Sequence, residues 1–149
     1  NDQDSFHIYK DKGRVKHLES ITDFSYESTL GIGHTRWATH GDKTDINAHP
    51  HFDHKNRVAL VHNGIINNYF ELKKELKDKY GIEQKSQTDT EIVSIWIGVY
   101  LDQGQTLYEA IKSVVRILEG SYSFILISIL DPEAMYIVKH TGTMVIGFP

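Results

Sequence analysis

The chain is organised around one short stretch, which reads Gly33-His34-Thr35-Arg36-Trp37-Ala38-Thr39-His40-Gly41. The alternating run Leu-Gly-Ile-Gly at residues 30–33 leads into it and predicts a strand that arrives at a buried edge. Arg36 is well suited to a planar carboxylate, because its guanidinium donates two parallel hydrogen bonds. Trp37 can cover such a site and exclude water. The alternative is a strand end with a surface arginine and a core tryptophan, and composition alone leaves both interpretations open.

Three further motifs follow in order along the chain. They are Asn-Ala-His-Pro at residues 47–50, Val-His-Asn-Gly-Ile-Ile at residues 61–66 and Thr-Asp-Thr-Glu at residues 88–91. The Asn63-Gly64 pair is typical of a tight hairpin turn. It also suits an oxyanion hole, because the asparagine amide and the glycine N–H can point at one oxygen. An apolar run before the pair and a helical pattern after it favour the second interpretation.

Together the four motifs resemble class II glutamine amidotransferases, which are N-terminal-nucleophile hydrolases. The Trp-Ala-Thr-His-Gly ending at residues 37–41 is most similar to the glucosamine-6-phosphate synthase family. The resemblance extends from about Tyr9 to the C-terminus. It implies hydrolysis of L-glutamine, with the ammonia passing to a separate sugar-isomerase domain that binds fructose 6-phosphate.

The resemblance also implies roles within a glutamine pocket. It assigns Asn63 and Gly64 to the oxyanion hole. It assigns Arg36, helped by Thr39, to the glutamine carboxylate, and Asp89 to the ammonium group. Without the other motifs, the aspartate would be interpreted as an acidic residue that interacts favourably with a helix dipole. The implied pocket is completed by Trp37, His40 and His49.

The nucleophile of this family is a cysteine at the first position of the mature chain, where its own α-amino group accepts the thiol proton. Such an amine titrates near neutral pH and is a suitable base. This sequence begins with Asn1 and contains no cysteine. We therefore expect one glutaminase domain over residues 1–149 that is incomplete at both ends and does not hydrolyse glutamine by itself.

Composition argues against several other classes of function. The net charge of −4 gives no electrostatic reason to expect nucleic-acid or anionic-membrane binding. No apolar run reaches the length of a bilayer span. The lack of cysteine excludes disulfides and thiolate metal sites and fits a reducing compartment. The histidines match no common zinc spacing. We expect no metal or cofactor, and a cytoplasmic enzyme whose full-length form is a homo-oligomer.

The predicted elements run from strands to helices and back to strands. Helices are predicted after Asn68, Thr88 and Thr106, each with a glutamate three positions later, as in a capping box. Gly120 is predicted to end the last helix, and residues 143–148 are predicted as a final strand. This order indicates an α+β fold with antiparallel sheets. The resemblance implies a four-layer αββα sandwich of the N-terminal-nucleophile hydrolase type.

The sequence leaves two other functions open. One is the phosphoribosyl-pyrophosphate type of amidotransferase, against which Trp37 and the Ala-His-Pro-His run at residues 48–51 argue. The other is a glutamine-binding module without catalysis, which the lack of cysteine favours.

Overall fold

The computed structural model describes residues 5–25, 28–35 and 42–147. The helices in these residues are α1 (Val15–Ile21), α2 (Tyr69–Tyr80), α3 (Asp89–Asp102) and α4 (Leu107–Ile117). A short 3-10 helix covers Asp45–Asn47. The strands are β1 (His51–Phe52), β2 (Val58–Ile66), β3 (Gly120–Ser128) and β4 (Asp131–Lys139).

The four strands form one antiparallel sheet in the order β1-β2-β3-β4. β2 and β3 pair along their whole length, from Val58 opposite Ser128 to Ile66 opposite Gly120. β1 is much shorter and pairs with residues 59 and 60 of β2. Within the described chain, the edge of β2 beyond residue 60 therefore has no strand beside it.

The hydrophobic core lies between the helices and one face of this sheet. α3 packs against β1 and β2, and both α2 and α4 pack against α3. Leu60, Phe124 and Leu126 of the sheet are at most 1% exposed, and Ile92 and Ile97 of α3 are fully buried. Burying a large apolar side chain contributes about 1.5–3 kcal/mol. This packing therefore holds β2, which carries the Asn63-Gly64 pair, in a fixed position.

The opposite face of the sheet is partly exposed. Val61, Ile125 and Ile137 lie side by side on it through their strand pairing. Two polar residues, Asn63 and Ser123, form the next pair along β2 and β3. The described residues thus form one antiparallel sheet with helices on one face, which is the α+β arrangement that the sequence predicts.

The three predicted helix starts are confirmed, but only one of the predicted capping boxes is present. Thr106 accepts a hydrogen bond from the Glu109 N–H, and the Glu109 side chain accepts one from the Thr106 N–H. Asn68 and Thr88 are also N-cap residues, but their side chains make no cap hydrogen bond. The Asn68 side chain instead binds Ile117 O and the Glu119 N–H, and the Thr88 hydroxyl contacts Ser86 and His51. Short polar side chains have several competing partners of this kind.

Three local predictions are wrong. Residues 30–33 form no strand, and the glycines at positions 31 and 33 weaken any tendency toward one. Residues 143–147 form no strand either, while Phe148 lies outside the described residues. Gly120 begins β3 rather than ending α4. The last turn of α4 is closed at Leu118, whose N–H donates to Val114 O.

Candidate active site

The Asn63-Gly64 pair lies inside β2 and not in a turn. Strand pairing fixes the direction of the glycine N–H. The backbone N–H of Asn67 donates a hydrogen bond to Glu119 O at 2.7 Å. Hydrogen-bonded pairs alternate with non-hydrogen-bonded pairs along an antiparallel ladder, and Gly64 lies three positions before Asn67. Gly64 therefore belongs to a non-hydrogen-bonded pair, and its N–H points away from β3. It faces the edge of β2 that β1 does not reach.

Only glycine fits at position 64. Its φ is 133°, a conformation that side-chain-bearing residues rarely adopt. A Cβ added to Gly64 would lie 2.0 Å from Ser121 O on β3. The two backbones approach so closely that the Gly64 N–H is held firmly in place.

The Asn63 side chain lies on the sheet face opposite α3, in an open groove of about 500 Å³. We call this cavity the Asn63 groove; its polar walls include Ser121, Ser123, Thr141 and Thr143. His34 Nε2 lies 3.0 Å from Asn63 Oδ1. With the carbonyl oxygen engaged by His34, the amide NH2 group is left to donate to a ligand in the groove.

Three histidines form a row beside this groove. The ring centroids of His34 and His49 are 4.1 Å apart, and those of His49 and His51 are 5.0 Å apart. His51 Nε2 lies 3.0 Å from the hydroxyl of Thr88, the N-cap of α3. The row thus connects the groove to the start of α3. His34 and His49 also line a second cavity of about 370 Å³, whose basic residues include Lys10, Lys12, Arg14 and Lys43.

Asp89 lies against the end of β2, in the first turn of α3, and is 5% exposed. Its Oδ2 accepts a hydrogen bond from the Ile66 N–H at 2.9 Å. Ile66 has the same orientation in β2 as Gly64, because the two residues are two positions apart. The carboxylate is therefore placed along the same strand edge as the Gly64 N–H.

His62 approaches Asp89 from the helix-facing side of the sheet. Its Nδ1 lies 2.9 Å from Thr90 Oγ1 and 4.0 Å from Asp89 Oδ1. Burial lowers the pKa of His62 below the usual value for histidine; Asp89 opposes this shift and His34 adds to it. His62 is therefore neutral at pH 7, and it does not cancel the negative charge of a nearby carboxylate.

A buried asparagine ties together two loops near the site. Asn47 is 1% exposed. Its Oδ1 accepts from the Gln87 N–H at 2.8 Å, and its Nδ2 donates to Asp42 O at 3.0 Å and to Gln87 Oε1 at 2.9 Å. Asp42 directly follows the motif at residues 33–41, and Gln87 directly precedes the N-cap of α3. This network fixes the distance between the two segments.

The structure brings together the predicted site residues that it describes. Asn63 and Gly64 are neighbours on β2, and Asp89 lies along the same strand edge. His49 packs against the ring of His34, which is hydrogen-bonded to Asn63. The other predicted site residues, Arg36, Trp37, Thr39 and His40, lie outside the described residues.

The motifs predicted no role for His34, Asn47, His62 or Thr90. Three of them are part of the quoted motifs at 33–41, 47–50 and 61–66, and Thr90 is part of the fourth. Their positions within the motifs could have marked these residues as functional. The motifs could not show which partners they contact, because those partners lie far away in the sequence. For example, His34 and Asn63 are 29 positions apart.

The described part of the chain contains no group of three or more His, Cys, Asp or Glu side chains that could hold a metal ion. Ring contacts join the three histidines of the row. Among the described residues, no helix has the length and apolar character needed to cross a bilayer.

Comparison with known proteins gives consistent matches. The family described as the glutamine amidotransferase domain matches residues 21–142. The glutamine–fructose-6-phosphate aminotransferase (isomerizing) of Streptococcus pneumoniae is 45% identical over 95% of this chain, which covers 23% of that protein. The Aquifex aeolicus protein of the same name is 43% identical over 94% of this chain, again 23% of its length. The chain thus spans about a quarter of the length of these relatives.

A solved structure of glutamine phosphoribosylpyrophosphate amidotransferase from B. subtilis also matches. It covers 64% of this chain and 20% of its own, at 31% identity and a TM-score of 0.52. This match confirms the predicted fold class, and the described sheet and helices are one part of that fold. The curated relatives carry the fructose-6-phosphate name and do not favour the phosphoribosyl-pyrophosphate alternative. The chain belongs to the glutamine amidotransferase domain family, in the class II branch that its motif at residues 33–41 resembles.

Proposed function

We propose that this chain is the glutamine-hydrolysing domain of an enzyme that makes glucosamine 6-phosphate from fructose 6-phosphate. The observation that carries the proposal is the pair of donors at residues 63 and 64. The Gly64 N–H and the Asn63 amide occur together beside an open groove, in a chain whose relatives are named for this reaction.

Amide hydrolysis builds negative charge on the carbonyl oxygen of the substrate. Fixed N–H donors stabilise that charge, and one such donor is worth about two to three orders of magnitude in turnover. In our proposal Asn63 Nδ2 and the Gly64 N–H are these donors. They need no reorganisation during the reaction, because strand pairing and the contact with His34 already hold them.

The remaining pocket residues recognise the two charged ends of glutamine. Arg36 binds the carboxylate with help from Thr39, and Asp89 binds the ammonium group. The buried position of Asp89 strengthens its interaction with a cation, because a low local dielectric increases electrostatic attraction. The pocket is completed by Trp37, His40 and His49.

These 149 residues contain no cysteine that could serve as the nucleophile. We infer that a cysteine with a free α-amino group supplies it, and that the 149-residue chain alone does not hydrolyse glutamine. We further propose that this glutaminase domain belongs to a cytoplasmic homo-oligomer, whose sugar-isomerase domain binds fructose 6-phosphate and receives the ammonia.

The test measures glutamine hydrolysis by the complete gene product, with fructose 6-phosphate or phosphoribosyl pyrophosphate as the acceptor. We expect amination of fructose 6-phosphate only.

Asn63→Ala should lower kcat by about two to three orders of magnitude with little change in KM. Asn67→Ala is the matched control, since it removes an exposed asparagine four positions further along. Normal turnover in Asn63→Ala would remove this residue from the oxyanion hole. Glutamine binding without hydrolysis in the wild type would favour the non-catalytic alternative.

A further inference from the structure

His34 stands at the wall between the two cavities of this face. It lines both the Asn63 groove and the basic cavity that His49 also lines. Its Nε2 lies 3.0 Å from Asn63 Oδ1. Among the residues that the structure describes, its Nδ1 is buried and has no hydrogen-bond partner.

We propose that His34 is a positioning residue that fixes the amide of Asn63 for catalysis; this inference rests on the proposed function. The oxygen Oδ1 can only accept a hydrogen bond, so His34 Nε2 must donate it. The neutral imidazole then carries its proton on Nε2, and Nδ1 needs no acceptor. Holding Oδ1 on one side directs the Asn63 NH2 group to the other side, into the groove.

The amide needs such a restraint because the Asn63 side chain is exposed. Rotation about the terminal torsion of an asparagine is broad, and an unrestrained amide exchanges its oxygen and nitrogen positions. An oxyanion donor is effective only when it is fixed before the reaction. An unrestrained Asn63 amide would point its oxygen at the substrate for part of the time. The partial negative charge of that oxygen would repel the negative charge that develops on the substrate carbonyl.

The His34 ring is itself held by its neighbours. It packs against His49 with an interplanar angle of 46°, and His49 meets His51 at 74°. His51 is hydrogen-bonded to Thr88 at the start of α3. The restraint on Asn63 is thus anchored at its far end in the buried core and not in solvent.

Two substitutions separate the hydrogen bond from the ring packing. His34→Phe keeps an aromatic ring against His49 but removes the donor, and His34→Gln removes the ring but keeps a donating amide nitrogen. In the complete gene product, we expect His34→Phe to lower the glutaminase kcat about tenfold to a hundredfold with KM changed less than about twofold. His34→Gln should stay within about threefold of the wild-type kcat. A role in packing alone would give the reverse order.

The double variant gives the decisive measurement. If His34 acts through Asn63, adding His34→Phe to Asn63→Ala should change kcat by less than about twofold. Effects that multiply would overturn the inference, as would equal kcat values for His34→Phe and the wild type. Should His34→Phe fail to fold by circular dichroism, His34→Ala takes its place. His54→Gln, at a histidine that binds Asp102 away from the groove, is the control and should leave kcat unchanged.

The failure of this inference is distinct from the failure of the proposed function. A wild-type protein without glutaminase activity would overturn both. An active wild type whose turnover does not depend on the His34 donor would overturn only the role of His34.

Discussion

Replacing Gly64 by alanine should destabilise the protein far more than a typical glycine-to-alanine change. The new Cβ would lie 2.0 Å from Ser121 O and 2.8 Å from the Tyr122 Cα, both backbone atoms. The φ of 133° adds conformational strain of about 1–3 kcal/mol. Relief of the clash requires β2 and β3 to separate. That weakens the flanking ladder hydrogen bonds, each worth about 0.5–1.5 kcal/mol. The expected loss is about 3 kcal/mol or more.

For a domain of this size, 3 kcal/mol corresponds to a decrease in Tm of about 6–12 °C. Differential scanning calorimetry of the complete gene product measures it as a shift of the transition that belongs to this domain. Gly81→Ala is the matched control, because Gly81 has a φ of 66° but nothing within 4 Å of an added Cβ. Its cost should be about 1–2 kcal/mol. Equal changes in Tm for the two variants would refute the argument that backbone contact with β3 is what excludes a side chain at position 64.

Three further predictions concern contacts outside the site. Burial raises the pKa of Asp102. Hydrogen bonds from Lys55, His54 and Arg57 have the larger opposite effect and hold this pKa below its usual value. Asp102→Asn should therefore reduce stability at pH 7, and the difference from wild type should shrink as the pH falls below about 4, the usual carboxyl pKa; a difference that grows in acid would contradict this. Asn68→Ala removes hydrogen bonds to Ile117 O and from the Glu119 N–H, and we expect a loss of about 1–3 kcal/mol in chemical denaturation. Thr106→Ala removes the capping box and should cost about 1 kcal/mol in the same assay, whereas an unchanged midpoint would show that this cap does not contribute.

Local patterns in the sequence predicted the helices correctly. The starts of α2, α3 and α4 follow from Asn68, Thr88 and Thr106, since helical hydrogen bonds join residues only four positions apart. The capping boxes at the first two residues were wrong. Their side chains are engaged by the α4–β3 connection and by His51, which no local pattern reveals.

The strands were predicted less well. The apolar run before the Asn63-Gly64 pair forms the first part of β2. The strand continues through the pair to Ile66 because β3 pairs with it along its whole length. Residues 30–33 alternate like a strand and yet form none. A strand forms only where a neighbouring strand supplies its hydrogen bonds, and the sequence of one strand does not identify that neighbour.

The sequence alone determined which chemical groups are present: a donor pair at residues 63 and 64 and an aspartate at a helix start. It also contained the motifs that identify the family. Tertiary structure decided where these groups lie relative to one another. The direction of the Gly64 N–H depends on the short reach of β1 and on the register with β3. The contact between His34 and Asn63 joins residues far apart in the chain. Residue types and local spacing are properties of the chain, whereas the meeting of distant segments depends on how the whole core packs.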